Sequence, residues 1–270
     1  MKEETFCKSI FYSDHSWPEI KDLVRRNRVV VIPVGSVEDH GPHLPLDTDN
    51  LLVWEICVAA ARKVPEKALV MPLIPYGFDE HHMDFPGVIN VDPFHFINYL
   101  VDVGKSIAYH GFKKILIVNS HGSNASLTDV AARKVTIETS ALCANVNTWT
   151  LGRKKIEELR ESIFPGGISH ACEYETSVYL HLAEEKVQKK KIGKDIPLQK
   201  SRFIWRDLER PSPVQLMEWW STFSKTGVCG DPTKANASKG EEIFKASVQY
   251  LADLISEFRL RKIHPRKDHH

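Results

Sequence analysis

No apolar run in the sequence approaches the roughly 18 residues that a bilayer-spanning helix needs. The opening residues, MKEETFCKSI, lack the apolar core of a secretory signal. Charge of one sign is missing as well: 36 Lys and Arg stand against 35 Asp and Glu, a formal balance of +1. Such a chain has no overall field to recruit nucleic acid or an anionic membrane, and it has no basic strip interleaved with aromatics. Cysteine is sparse: five residues at 7, 57, 143, 172 and 229 are odd in number and contain no CxxC pair. That excludes a disulfide scaffold and a cysteine-built metal site, and it favours a reducing, cytoplasmic setting. Gly35 and Gly41 do not form GxGxxG, so a dinucleotide fingerprint is absent too. Neither an internal repeat nor a low-complexity linker divides the 270 residues, and the expectation is one domain over 1–270. Its expected partner is a small molecule, with no nucleic acid and no membrane.

What is present is concentrated in Val29 to Asp49, VVVIPVGSVEDHGPHLPLDTD. The apolar run at its start reads as a buried strand of a parallel sheet. Glu38, Asp39, His40, His43, Asp47 and Asp49 then crowd into twelve residues, bent by Gly35, Gly41, Pro42 and Pro45. Carboxylates and imidazoles alternating at the end of a buried strand suit zinc, manganese or iron.

The remaining chain alternates strand and helix. Ser16 caps a helix with Pro18 in its first turn, ending near Asn27; residues before it form an arm. A second helix follows Asp49 or Thr48 and carries Leu52, Ile56, Ala59, Ala60 and Val64. Ala68 to Ile74 reads as a strand opening onto a polar, aromatic loop, Tyr76 to Gly87, with a short hairpin arm at Val88 to Val91. A helix from Asp92 and Pro93 stops at Gly111; Lys114 to Asn119 is the clearest strand and runs into Ser120-His121-Gly122-Ser123-Asn124. A helix from about Ala125 to Thr139 and a strand from Ala141 to Trp149 complete a doubly wound α/β pattern, with polar signatures at strand C-termini. Beyond it come a short charged helix at Lys154 to Glu161, a helix that Glu175 begins, a solvated basic run at Lys186 to Lys194 and a last helix from Ser238 to about Leu260. Residues 200–237, with Trp205, Trp219, Trp220 and Phe223, read as a lid over the site or a subunit interface. The charged tail RKIHPRKDHH takes no part in the site reasoning.

Glu38, His40, Asp49, His121 and Glu175 are the candidates for chemistry. Glu38 and His40 are two apart after a strand, so an extended backbone points them the same way. Asp49 sits at a helix start and His121 at another strand end. Two metals need a shared carboxylate, further oxygen or nitrogen ligands on each side, and open positions.

These motifs carry a resemblance. Gly35 to Asp49, Phe85-Pro86-Gly87, Asn119 to Asn124, His170-Ala171-Cys172-Glu173-Tyr174-Glu175-Thr176-Ser177 and Gly230-Asp231-Pro232 resemble, in order, the creatininase family of metal-dependent amidohydrolases. The resemblance implies a three-layer α/β/α sandwich with a mainly parallel sheet, two divalent ions (zinc or manganese, with iron possible) and commonly a homo-hexamer. It implies Glu38 and His121 on one metal, His40 on the other and Asp49 bridging. Creatininase itself carries a glutamate two residues after the motif histidine, where this chain has Ser123. Other branches complete the second metal with the glutamate of the later motif, here Glu175.

For the class, hydroxide made available by two divalent ions attacks an electrophilic carbonyl. His170 is the expected proton carrier, and a metal or donors around Gly122 and Ser123 the expected oxyanion stabilisers. Tyr76, His81 and His82 are expected to shape the substrate pocket. The leading reading is hydrolysis of a C–N bond in a small cyclic or amide-containing metabolite. The alternatives are a 3-dehydro-scyllo-inosose-type hydrolase opening a cyclic keto-polyol at a C–C bond, and a catalytically silent metal- or ligand-binding protein.

Overall fold

The computed structural model describes residues 9–197 and 201–270. Four strands, β1 (Val29–Val34), β2 (Ala68–Val70), β3 (Lys114–Asn119) and β4 (Leu142–Asn147), pair in parallel in the order β2-β1-β3-β4. Every residue of β1 and β3 is buried, as strands covered on both faces must be.

The strand period of two sorts their side chains. Val30, Ile32, Val34, Ile115 and Ile117 pack with Phe96, Leu100 and Ile107 of α3 (Pro93–Tyr109) and Ala131, Ala132 and Val135 of α4 (Ala125–Glu138). Val29, Val31, Leu116 and Val118 pack with Val53, Ile56 and Ala60 of α2 (Thr48–Lys63) and Val248, Leu251 and Ile255 of α8 (Ala237–Leu260). The architecture is a three-layer α/β/α sandwich. Each such Val, Leu or Ile stabilises it by about 1.5–3 kcal/mol through removal from water.

β1 has β2 on one side and β3 on the other, so the chain reverses direction across the sheet there. The crevice at this switch point, outside the strand C-termini, is where open α/β sheets bind ligands.

Several boundaries differ from the sequence expectation. The second strand stops at Val70 because Pro72 has no N–H for the ladder; Ile74 then rejoins β1, donating its N–H to Pro33 O at 3.0 Å. Val88 to Val91 forms no hairpin, only an isolated bridge between Gly77 and Asn90. β4 ends at Asn147, and Thr148–Leu151 is a helical turn, α5, before α6 (Arg153–Leu159). The late helix α7 (Glu173–Ala183) begins two residues earlier than expected, capped at Cys172. Asn236, not Ser238, caps α8, accepting the Lys239 N–H at 2.9 Å. The Ser16 start holds: α1 (Trp17–Arg25) opens with the Ser16 N–H donating to the Glu19 carboxylate at 2.8 Å.

α7 lies against α8 closely enough that a Cβ on Gly240 would meet Ser177 O at 1.9 Å. The basic run is exposed apart from Val187 and the half-buried Ile192. In the excursion, position 200 lies outside the described residues, as do residues 1–8 of the arm. The rest is irregular but tied down. Arg160 pairs with Asp207 at 2.7 Å and Glu209 at 2.6 Å, and the Trp220 indole N–H donates to Gly227 O at 2.8 Å. Of the arm, Phe11 bridges to Val70 and stacks on Trp54. Among the described residues no helix is long and apolar enough to cross a membrane.

Candidate metal centre

Four segments deliver the candidate ligands to the switch-point crevice. Glu38 and His40 come from the loop after β1, Asp49 from the first turn of α2, His121 from the end of β3, and Glu175 from the first turn of α7. All five are buried. Two imidazoles and three carboxylates cannot be withdrawn from water together without compensation.

Hydrogen bonds on the far sides of the rings fix what the near sides offer. His121 Nε2 lies 2.9 Å from Asp79 Oδ1 and 3.1 Å from Phe78 O, so that nitrogen carries the hydrogen. Its Nδ1 faces Glu38 Oε2 at 2.7 Å and Asp49 Oδ2 at 3.3 Å. His40 Nδ1 is 3.4 Å from Glu38 O, and its Nε2 faces Asp49 Oδ1 at 3.7 Å and Glu38 Oε1 at 4.0 Å. Asp49 therefore turns one oxygen toward each histidine. Glu175 completes the His40 side: donor atoms of His40, Asp49 and Glu175 lie within 4.8 Å of one another.

These atoms fit a pair of cations. Glu38 Oε2, Asp49 Oδ2 and His40 Nε2 are fully buried and have no hydrogen-bond partner, despite the short distances between them. Acceptors facing acceptors need a proton or a cation between them. The Asp79–His121 and Phe78–His121 contacts are the outer support that ligating histidines require.

The electrostatics agree. Burial pushes Glu38 well above the usual carboxylate range, pushes Asp49 up to about 6 and, with Asp49 beside it, pushes Glu175 up to about 8. Burial also drives His40 well below the usual histidine range. For His121 burial opposes the charge, but Asp79 and Glu38 outweigh it and hold the ring well above that range. A divalent ion satisfies the same pull and displaces the protons.

His170 stands beside this set. Its Nε2 is 2.6 Å from the Asp39 carbonyl oxygen, which can only accept, so Nε2 bears the hydrogen and Nδ1 is the free lone pair, 3.0 Å from Glu38 Oε1. Burial and the neighbouring His82 push His170 down to about 3, so the ring is neutral at pH 7.

The centre opens into a cavity of about 430 Å³. His81, His82 and Ser123 line it, with the Ser123 hydroxyl 3.0 Å from His81 Nε2. Tyr76 does not line it: the side chain is half exposed. Much of the wall comes from the 201–237 excursion, including Trp205, Arg206, Leu216, Met217 and Trp220. Trp220 stacks on His82 at 4.3 Å between ring centroids.

Sequence reasoning missed Asp79, which receives His121 and the Ser36 hydroxyl, and Asp39, whose carboxylate accepts His82 Nδ1 at 2.7 Å. Its only signal was a Asp-Glu-His-His run after a strand. Glu173 is buried but turned away from the centre, toward Lys239.

A family model for creatininase, creatinine amidohydrolase, matches residues 13–255. The chain belongs to the creatininase family. It is thus a metal-dependent hydrolase by fold and by donor set. It is 34% identical over 236 residues to the mycofactocin precursor peptide peptidase of Mycobacterium tuberculosis, covering 81% of each chain. It is 26% identical over 270 residues to the 3-dehydro-scyllo-inosose hydrolase of Thermotoga maritima, covering 93% of this chain and 84% of that one. A solved manganese creatininase superposes with a TM-score of 0.77 at 25% identity, over 93% of this chain and 98% of the other.

Proposed function

We propose that this creatininase-family protein hydrolyses an amide C–N bond in a small cyclic or amide-containing metabolite, with zinc or manganese held by Glu38, Asp49 and His121 on one side and His40, Asp49 and Glu175 on the other. The observation that carries it is Asp49, whose two oxygens face two different histidines. Divalent ions held there supply Lewis acidity, which makes hydroxide available near neutral pH and polarises a carbonyl.

The chain's own groups have defined tasks in this reading. Asp79 and the Phe78 carbonyl lock His121 from behind, so that its Nδ1 faces Glu38 and Asp49, as His40 Nε2 faces Asp49 from the other side. His170 accepts a proton at Nδ1 and returns it to the leaving nitrogen, its ring held by the Asp39 carbonyl. The Ser123 hydroxyl, anchored on His81, donates to the oxygen that gains charge. Trp220 and its neighbours in the excursion act as a lid that excludes water from the cavity.

Named activities with a scissile amide among the similar proteins, creatinine amidohydrolase and the peptide peptidase among them, support C–N cleavage. The decisive experiment is metal stoichiometry by mass spectrometry, coupled to a screen of cyclic amides, formamides, short peptides and keto-inositols. Two metals per chain with amide turnover is the expected result. Turnover of the keto-inositols alone moves the chemistry to a C–C bond, and fewer than two metals after reconstitution with no turnover overturns dinuclear hydrolysis.

A further inference from the structure

The cavity that exposes Glu38, Asp49 and Glu175 is also lined by two guanidinium groups, Arg153 at the start of α6 and Arg206 in the excursion. Arg153 is exposed at this wall and has no ion-pair or hydrogen-bond partner among the described residues. Arg206 lies over the Phe223 ring at 3.8 Å and reaches Glu218 at 3.2 Å with one terminal nitrogen, while its Nε is buried with no hydrogen-bond partner. The other acid in the lining outside the metal ligands, Asp207, is taken by Arg160 at 2.7 Å. The wall beyond the metal centre therefore carries surplus positive charge and an unfilled buried donor. Ser212, Gln215 and Thr150 beside it offer neutral hydrogen bonds, which do not select for charge.

A guanidinium fork matches the planar oxygens of a carboxylate or the oxygens of a phosphate. Resting on the amide-hydrolysis reading, we propose that the substrate is an anionic amide, whose carboxylate or phosphate is held by Arg153 and Arg206 while its amide carbonyl lies over the Asp49 centre. A neutral amide leaves Arg153 and the Arg206 Nε without a partner and binds more weakly.

The test is calorimetric binding to the metal-loaded enzyme, so that it does not depend on turnover. Two matched pairs serve as probes: N-acetylglycine against N-acetylglycinamide, and N-acetyl-O-phosphoethanolamine against N-acetylethanolamine. The anionic member of at least one pair is expected to bind about tenfold tighter or more, the size of one charge-assisted hydrogen bond. Which pair shows the larger ratio identifies the oxyanion. Arg153→Met and Arg206→Met are each expected to remove most of that preference, with metal content unchanged, and Arg153→Lys to restore part of it. Equal affinities within both pairs overturn the proposal. So does a preference that survives in both methionine variants, because the anion is then held by the metals alone. Metal stoichiometry, read in the same samples, reports separately on the dinuclear reading.

Discussion

Lys239 links three parts of the chain, and removing its charge tests how the late helix is held. Glu173, at the first position of α7, is 3% exposed; its carboxylate accepts the backbone N–H of Ser162 at 2.9 Å and of Glu161 at 3.1 Å. Lys239 Nζ, on α8, lies 2.5 Å from Glu173 Oε1 and 2.6 Å from the exposed Glu161 carboxylate, and donates to Lys234 O at 3.0 Å. Lys239→Met keeps the stem packed but leaves Glu173 buried without a cation, and breaking a buried pair from one side costs about 3–5 kcal/mol. The two surviving backbone donors place the expectation at the low end, about 3 kcal/mol. Glu173→Gln leaves Lys239 its exposed partner Glu161, so its loss should be smaller, about 1–2 kcal/mol. The double variant should lose less than the sum of the two, since neither uncompensated charge remains. Urea unfolding of the metal-loaded protein measures all three, with metal content followed because Glu175 lies two residues along the same helix. A Lys239→Met protein within about 1 kcal/mol of the parent, at unchanged denaturant slope, refutes the reasoning.

Three further outcomes are expected. Glu175→Gln should weaken one metal by at least about tenfold and spare the other, because Glu38 and His121 remain; equal retention of two metals in calorimetric titration removes Glu175 from the ligand set. His170→Ala should keep both metals and the fold while lowering turnover roughly 10²- to 10⁴-fold, and undiminished turnover would leave His170 a hydrogen-bonding residue of the loop. Burial raises the thiols of Cys57, Cys143, Cys172 and Cys229, with Cys143 pushed up to about 12 and Cys229 to about 11. Since only the thiolate reacts, pulse alkylation of the native protein at pH 8 should leave these four unmodified by peptide mapping, and rapid labelling of any of them contradicts its burial.

The layers were legible because the physics behind them is local. An unbroken apolar run such as Val29 to Val34 is what a strand covered on both faces requires, and Leu52, Ile56 and Ala60 fall on one stripe of a helix. Errors gathered where a boundary depends on one residue's hydrogen bond. Pro72 ends a strand that its apolar neighbours prolong, and α7 starts at Glu173 because the preceding Cys172 N–H is capped by the Glu175 carboxylate at 3.3 Å.

The site divides along the same line. The five candidate ligands stood out because carboxylates and imidazoles gathered at strand ends suit a metal, and the structure gathers the other four around Asp49. Their supports were invisible, because what makes Asp79 matter is a ring 2.9 Å away that belongs to a residue 42 positions later. Tyr76 shows the converse: an aromatic in the right loop lies half exposed, outside the cavity lining. Ligand identity is thus set by chemistry that a residue carries alone, whereas tautomer, orientation and cavity lining are set by contacts between distant segments. The wall formed by Arg153, Arg206 and Trp220 belongs to the second kind. Relatives with the same five candidate ligands can therefore differ in substrate, since the segments that build the wall are free to vary without disturbing Asp49 and its two histidines.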